Sequence, residues 1–232
     1  MKALVLFSGG LDSATCLAMA VQKYGAKQVV ALSVSYGQKH NKELEAARNV
    51  ANYYQVELIE LNLSKIFSYS NCSLLSHSSK EIPRHSYAEQ LAEQKEEILS
   101  TYVPFRNGLF LSTATSIALS KDCNIIFYGA HGDDAAGNAY PDCSPAFHKA
   151  MNTAIYEGSG RQVRVEAPFL GLHKKEIVKR GLDLNVPYEL TWSCYEGGEH
   201  SCGQCGTCID REKAFEENNS IDPLVIVRRG GN

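Results

Sequence analysis

Short apolar runs alternate with stretches whose apolar residues recur at helical spacing along most of the chain. The first run, residues 2–7, stops at Ser8-Gly9-Gly10, and Leu17, Met19, Ala20 and Tyr24 then supply a helical stripe. That pattern predicts a buried strand, a glycine turn and a helix, with Gly25 at the C′ position where a left-handed backbone closes it. Residues 28–34 read as a second buried strand. Residues 39–54 read as a helix with Leu44, Ala47, Val50, Ala51 and Tyr54 on one face, and 56–61 as a third strand. This is the spacing of parallel crossover units. Residues 64–86 break the rhythm; they are rich in serine and contain Pro83, which predicts an irregular excursion over the surface. The rhythm then resumes with a polar helix at 87–100, a core helix at 108–119, a strand at 124–128, a helix at 147–156, a strand at 162–167 and a helix at 174–182. From Trp192 onward glycines and cysteines replace periodicity, and no internal repeat or low-complexity tract is visible. The expected fold is α/β, a doubly wound and mostly parallel sheet over residues 1–190, with a small metal-binding segment at 191–232 packed on it.

Composition narrows this further. A length of 232 residues accommodates one large domain with a small appendage, and 44% hydrophobic with 21% charged residues is ordinary for a globular protein and argues against disorder. A formal charge of −3 gives no global basic field, so no stable nucleic-acid partner is expected. No stretch has the length of an apolar membrane span. The apolar run after Lys2 is too short for the core of a signal peptide, so a cytoplasmic protein is expected.

Two places carry candidate chemistry. The first is Phe7-Ser8-Gly9-Gly10-Leu11-Asp12-Ser13, between the first strand and the first helix. Glycines let a backbone approach an anion, and the new helix aims unpaired N–H groups and its positive end at that anion. Ser8 and Ser13 add hydroxyl donors. Asp12 does not suit a phosphate directly; it suits orienting the loop, or holding a magnesium ion that neutralises pyrophosphate. The plain alternative is a tight strand-to-helix turn with a serine cap. The string is neither the P-loop with its Gly-Lys-Ser/Thr ending nor the dinucleotide fingerprint.

The second is the cysteine pattern. Cys16, Cys72, Cys123 and Cys143 are scattered, whereas Cys194, Cys202, Cys205 and Cys208 fall within fifteen residues. Tight clustering favours metal over a disulfide framework. Gly203 and Gly206 are expected to let the chain curl until the sulfurs converge. Four thiolates suit tetrahedral zinc in a closed structural site, ranked ahead of an iron–sulfur cluster. His200, inside the cluster, is expected to face solvent.

The glycine string resembles the Ser-Gly-Gly-x-Asp-Ser signature of the PP-loop ATP pyrophosphatases. That resemblance implies a doubly wound sheet and cleavage of ATP between its α and β phosphates. It also implies a nucleotide-binding segment over Phe7-Ser8-Gly9-Gly10-Leu11-Asp12-Ser13-Ala14-Thr15, with the adenine near residues 32–35. Further strings narrow the branch: Tyr36-Gly37-Gln38-Lys39-His40, Val103-Pro104-Phe105-Arg106-Asn107, Gly129-Ala130-His131, Tyr140-Pro141-Asp142-Cys143 and the cysteine set. Their order and spacing, from Met1 to about Arg211, are similar to the 7-cyano-7-deazaguanine synthases of queuosine biosynthesis. Two departures stand out. Phe105 occupies a position where that branch more often has glycine, and Ser144 one where it often has arginine.

The resemblance implies that 7-carboxy-7-deazaguanine and ammonia become the nitrile through two adenylations, with ATP as co-substrate and Mg2+ and Zn2+ as cofactors, in a homodimer. Catalytic candidates are Ser8, Asp12, Ser13, Arg106 and Asp133; substrate-binding candidates are Arg106, Asp134, Asp142 and Lys175. Each has a plainer reading. Arg106 suits phosphate or a substrate carboxylate, or a surface salt bridge. Asp133 and Asp134 suit magnesium or proton acceptance, or a helix N-cap. Asp142 suits the N–H edge of a guanine-like ring, or turn chemistry after Pro141. Of Lys174 and Lys175 one can reach phosphates, although adjacent lysines are usually solvated. His131 suits a proton shuttle or a structural role. Two rivals remain. One is another PP-loop enzyme, such as a tRNA thiolase or base-modifying ligase. The other is a zinc-ribbon module binding nucleic acid through the Cys194–Cys208 segment, with Arg211, Lys213, Arg228 and Arg229 as its nearby positive charge.

Overall fold

A computed structural model describes residues 1–86, 89–90, 99–135 and 139–230. Its centre is a parallel sheet of β1 (Ala3–Leu6), β2 (Val29–Ser35), β3 (Glu57–Asn62), β4 (Ile125–Phe127) and β5 (Arg164–Glu166), in the order β3-β2-β1-β4-β5. All four pairings are parallel, and Ala3 lies between Val29 on one side and Ile125 on the other. The helices are α1 (Leu11–Tyr24), α2 (Lys42–Tyr54), α3 (Ser64–Phe67), α4 (Arg106–Ser120), α5 (Gly132–Ala135), α6 (Pro145–Gly158), α7 (Lys174–Asp183), α8 (Gly206–Glu216) and α9 (Pro223–Gly230).

Side-chain alternation explains why the central strands read as continuous apolar runs. Ala3 and Val5, Val29 and Ala31, and Ile125 and Phe127 face a core shared with Leu17 of α1, Val50 of α2, Ile177 of α7 and Phe215 of α8. Leu4, Val30, Leu32 and Ile126 face the other core, with Leu111 and Ala114 of α4 and Ile155 of α6. Helices thus cover both faces, the condition under which parallel sheets bury both sides. The edge strand β3 is different: it carries Glu57 and Glu60, which pair with Lys121 and Arg48. Charge on an exposed edge discourages pairing with another chain.

The order of strands fixes where a ligand can enter. The chain runs outward from β1 through β2 to β3, then returns to the opposite side of β1 to form β4 and β5. A crevice therefore opens at the carboxyl ends of β1 and β4, the topological switch point of a doubly wound sheet.

Three expectations need correction. The serine-rich segment 64–86 is mostly irregular and partly exposed, but it is anchored in the interior and not merely superficial. Phe67, Cys72, Leu74, Leu75 and Ile82 are buried in a third core with Val103, Trp192, Cys194, Cys205 and Cys208. Single apolar residues among serines have no period, so this burial leaves no pattern in the sequence. Second, the C-terminal segment is not aperiodic. It forms α8 and α9, and Ala214 and Phe215 belong to the main core. The buried face of α8 includes Arg211, which disguises the stripe. Third, Gly25 does end α1 with a positive φ of 81°, but its ψ of 145° is extended and not left-handed helical. The helix expected over 87–100 falls mostly outside the described residues. No described helix is long and apolar enough to cross a membrane.

Candidate functional site

The glycine loop leaves β1 and turns directly into α1. Gly9 has a φ of 87°, and a Cβ there would collide with the main-chain carbonyl oxygen of Glu43 and crowd the nitrogen of Ala47. Helix α2 packs so closely on the loop that only glycine fits. Gly10 occupies the N-cap position of α1. The serine hydroxyls close the loop on itself: Ser8 Oγ and Ser13 Oγ are 3.0 Å apart, Gly10 N–H donates to Ser8 Oγ at 3.2 Å, and Ser13 Oγ donates to Gly10 O at 3.1 Å. Ser8 N–H donates to Ser13 Oγ at 3.2 Å. Trp192 N–H donates to Gly9 O at 3.0 Å and ties the loop to the C-terminal segment. Within the expected nucleotide segment, Phe7, Ser8, Gly10, Leu11, Asp12 and Ser13 line the crevice, whereas Ala14 and Thr15 point into the core. Thr15 Oγ1 bonds Tyr188 Oη at 2.7 Å, a packing role.

The crevice has a cavity volume of about 240 Å³ and is open to solvent. Leu32, Ser33 and Val34 form its wall at the end of β2, where an adenine was expected, and the buried Ser33 Oγ has no described partner.

One wall is a network of opposite charges. Lys174 Nζ donates to Asp12 Oδ2 at 2.6 Å and lies 3.1 Å from His131 Nε2. His131 is buried, and its Nε2 is 3.4 Å from Asp134 Oδ2. Burial opposes the charge on Asp12, but the Lys174 ammonium and His131 outweigh it and hold the carboxyl below its ordinary value. Burial likewise opposes the charge on Lys174, and the Asp12 and Asp134 carboxylates outweigh it, raising its pKa. Both groups are therefore ionised at neutral pH.

Lys174, and not Lys175, reaches this wall. Both open α7, but successive helical positions diverge by about 100°, so the first faces the sheet and Lys175 is exposed away from the crevice. Asp133 is likewise turned out of the lining. It accepts from His173 Nδ1 at 2.6 Å and from Lys174 N–H at 2.8 Å, capping α7 from a distant part of the chain. It fixes the entry of α7 from which Lys174 projects.

The facing wall comes from α4, the turn at 141–143 and α2. Arg106 opens α4 directly after Phe105, whose φ of 54° is left-handed, a conformation that glycine adopts with less strain. The Arg106 guanidinium lies 5.1 Å from the centre of the Tyr36 ring and forms no ion pair with a described carboxylate, so it is not a surface salt bridge. Asp142 is buried, and its Oδ2 accepts Asn107 N–H at 2.8 Å, which caps α4. Burial pushes its carboxyl up, against the pull of Asn107 and Arg106. Ser144 caps α6 by accepting Phe147 N–H at 3.1 Å.

Glu43, in the first turn of α2, also lines the crevice. Burial pushes its carboxyl up to about 7, with Arg106 acting the other way. Sequence reasoning passed it over because an acidic residue in a helix's first turn is ordinary dipole chemistry. The available signal was its position three residues past the Tyr36-Gly37-Gln38-Lys39-His40 string.

Beside the crevice the four clustered cysteines meet. One sulfur from each of Cys194, Cys202, Cys205 and Cys208 lies within 4.8 Å of all the others. Tetrahedral zinc with bonds of about 2.3 Å needs sulfurs roughly 3.8 Å apart, so the donor set fits such an ion. Backbone N–H groups of Glu196 and Cys202 donate to Cys194 Sγ at 3.4 and 3.3 Å, and those of Gln204 and Cys205 donate to Cys202 Sγ at 3.4 and 3.3 Å. Such donors stabilise thiolate charge. Gly203, with a φ of 69°, supplies the curl; Gly206 instead starts α8. His200 is exposed and outside the cluster, as expected. Arg211 is buried, with Nε and Nη2 donating to Asp222 at 2.8 and 3.0 Å, so it is not available to a nucleic-acid backbone.

Comparisons with known proteins agree with this geometry. The family model described as "Queuosine biosynthesis protein QueC" matches residues 2–219. A 7-cyano-7-deazaguanine synthase from Archaeoglobus fulgidus is 41% identical over 226 residues, 97% of this chain and 90% of that protein. One from Hahella chejuensis is 42% identical over 223 residues, 96% of this chain and 92% of the relative. Among solved structures, the U34-tRNA thiolase NcsA from Methanococcus maripaludis, described with its 4Fe–4S cluster, aligns with a TM-score of 0.52 at 15% identity. That alignment covers 99% of this chain and 71% of the thiolase, a likeness of fold alone.

Proposed function

The chain belongs to the family of the queuosine biosynthesis protein QueC, and on that premise we propose that it converts 7-carboxy-7-deazaguanine and ammonia to 7-cyano-7-deazaguanine at the expense of two ATP. The observation that carries this reading is near-full-length identity of about two residues in five with synthases of that name, on a fold whose glycine loop, charged wall and cysteine cluster stand together. The thiolase alternative has only a likeness of fold in its favour.

The reaction needs ATP twice because oxygen leaves carbon poorly on two occasions. A substrate carboxylate oxygen attacks the α-phosphorus and pyrophosphate departs, giving an acyl adenylate. Ammonia adds at the carbonyl carbon, AMP leaves with the oxygen, and a proton is lost, giving the amide. The amide oxygen then attacks a second α-phosphorus, expelling pyrophosphate again. Loss of AMP and the remaining N–H protons yields the nitrile. Both adenylations are the same attack on phosphorus, so one phosphate site serves both.

In this proposal the loop Phe7 to Ser13 cradles the phosphates at the positive end of α1. Ser8 and Ser13 hold the loop's shape, and of the two adjacent lysines Lys174, not the substrate-binding candidate Lys175, reaches the phosphates. The charge growing on pyrophosphate meets that ammonium in a site partly closed to water, where a fixed charge counts most. Asp12 and Asp134 are the residues that would hold Mg2+, which supplies Lewis-acid neutralisation of the leaving group. Asp133 positions Lys174 through the cap on α7. Arg106 and Asp142 are the candidates for contact with the deazaguanine acid. Cys194, Cys202, Cys205 and Cys208 would hold Zn2+, a structural ion that fixes the C-terminal segment against the loop through Trp192. A homodimer in the cytoplasm completes the proposal.

The test is pyrophosphate release with each candidate acceptor. Stimulation by 7-carboxy-7-deazaguanine, and separately by its 7-amide without ammonia, is expected. Stimulation by tRNA and not by either small molecule would reverse the reading.

A further inference from the structure

Among the described residues, four carboxylates line the crevice: Asp12, Glu43, Asp134 and Asp142. Three have partners. Asp12 takes the Lys174 ammonium, Asp134 faces His131 Nε2 at 3.4 Å, and Asp142 accepts Asn107 N–H. Among the described residues, no N–H, O–H or cationic group bonds the Glu43 carboxylate. Its nearest charge is Arg106, which instead lies over Tyr36 without an ion pair. The side chain is half-buried and its oxygens stay open to the crevice, so the carboxylate is available to donors that a ligand brings.

Its placement is also fixed. The Glu43 carbonyl oxygen sits where a Cβ on Gly9 would go, so the first turn of α2 is seated against the glycine loop. The side chain is therefore presented to the crevice from a fixed backbone. Phosphate cannot be its partner, since two anions would face each other. The partner must bring N–H donors.

We propose that Glu43 reads the donor edge of the deazaguanine ring, accepting the N1–H and the 2-amino group on its two oxygens. This rests on the functional reading above. The chemistry also separates the two ligands that share the crevice. A guanine-like edge offers two adjacent donors, which a carboxylate accepts as a pair. Adenine offers a donor beside a lone pair at N1, and that lone pair would face a carboxylate oxygen. Glu43 thus admits the deazaguanine and rejects the adenine of ATP, discrimination by an unfavourable contact as much as by a favourable one. Arg106 has the complementary function. O6 lies between N1 and the 7-carboxylate on the ring, and a planar guanidinium donates to both oxygens. Asp142 matches this task less well, because it already spends an oxygen on the end of α4.

The experiment is calorimetry without ammonium, using 7-carboxy-7-deazaguanine and its 2-deamino analogue, on the wild-type chain, Glu43→Gln and Glu43→Asp. The wild type should prefer the amino compound by roughly 10- to 100-fold, the worth of a hydrogen bond to a charged group. Glu43→Gln should lose most of that preference and keep its ATP affinity within about twofold. Glu43→Asp, which retains the charge on a shorter stem, should keep part of the preference. Full preference persisting in Glu43→Gln would overturn the proposal and move the reading to another carboxylate. Loss of ATP binding in both variants would overturn it too, since Glu43 would then serve the loop. A wild-type chain with no affinity for the acid defeats the functional reading itself, a result distinct from either.

Discussion

The two walls of the crevice settle their charges in opposite ways. At the loop wall, Asp12, Lys174, His131 and Asp134 pair with one another, and burial is offset on both sides of the Asp12–Lys174 contact. At the facing wall, no described group donates to the Glu43 carboxylate and Arg106 forms no ion pair with a described carboxylate, although both stand in the same space. A wall whose ions already neutralise each other can receive a ligand that brings its own charge and cation, as a magnesium nucleotide does. A wall with an unpaired acceptor and an unpaired donor fits a neutral ring that carries both donors and acceptors. On this difference the proposal places the phosphates at the first wall and the ring at the second.

The cysteine cluster gives the severest way to break this arrangement. Trp192 connects that segment to Gly9, so losing a metal there should loosen the loop wall before the ring wall. Cys205→Ser should abolish metal binding, which contributes on the order of 10 kcal/mol in small zinc sites. Metal analysis should find one zinc per wild-type chain and none in the variant, with ATP affinity falling more than affinity for the acid. Iron with sulfide, or full ATP binding by the metal-free protein, would break the link.

Next in size is the contrast between neighbouring lysines. Lys174→Ala removes the ammonium beside Asp12 and should cut AMP formation by about 100- to 1,000-fold, the usual effect of losing one oriented charge-stabilising group. Lys175→Ala should leave turnover within about twofold of wild type, as expected of a solvated lysine. Equal losses in the two variants would sink the assignment of the loop wall.

Asp142→Asn sharpens the ring wall. The asparagine carbonyl can still accept Asn107 N–H, so α4 stays capped and the chain folds. Affinity for the acid should fall by less than about tenfold, within the 1.4 kcal/mol that a tenfold change represents. A loss larger than that of Glu43→Gln would exchange the roles of the two residues.

The smallest effect is on stability. The Glu43 carboxyl moves from an ordinary value of 4.5 to about 7 through burial, with Arg106 acting against that shift and Tyr36 facing the group. Between those values the unfolded chain releases its proton first, so the folded state loses stability as pH rises across the window. Glu43→Gln removes this loss. Its melting temperature should gain on wild type between pH 4.5 and 7, by on the order of 2–4 °C if the effect is about 1 kcal/mol. A difference that does not change with pH would show that the group ionises as freely in the folded chain as in the unfolded one.

Legibility in the sequence followed periodicity and local strings. The strands at 3–6, 29–35 and 125–127 were visible because both faces of the sheet are covered, which leaves unbroken apolar runs. The glycine loop and the four cysteines were visible because their chemistry is compressed into a few consecutive residues. Helix α8 was not, because its inward face carries Arg211 paired with Asp222 in place of an apolar side chain. The burial of 67–82 was not, because it depends on Val103 and Trp192, which are distant in sequence. Glu43 escaped for the same reason. Its significance is set by Gly9 and Arg106, which only the folded chain brings beside it. Asp133 and Lys175 were expected in the site itself and instead stand beside it, because the helical rotation that turns Asp134 and Lys174 inward and their neighbours outward left no mark in the string.

The central claim is tested most directly by following the atoms. The protein is incubated with 7-carboxy-7-deazaguanine, ATP, magnesium and 15N-ammonium, and the products are read by mass spectrometry. The account predicts the 7-amide rising first and then giving way to 7-cyano-7-deazaguanine, each product carrying one 15N, with two AMP formed per nitrile. Accumulation of the amide as the final product with one AMP, or AMP formation with no change in the deazaguanine acid, would contradict it.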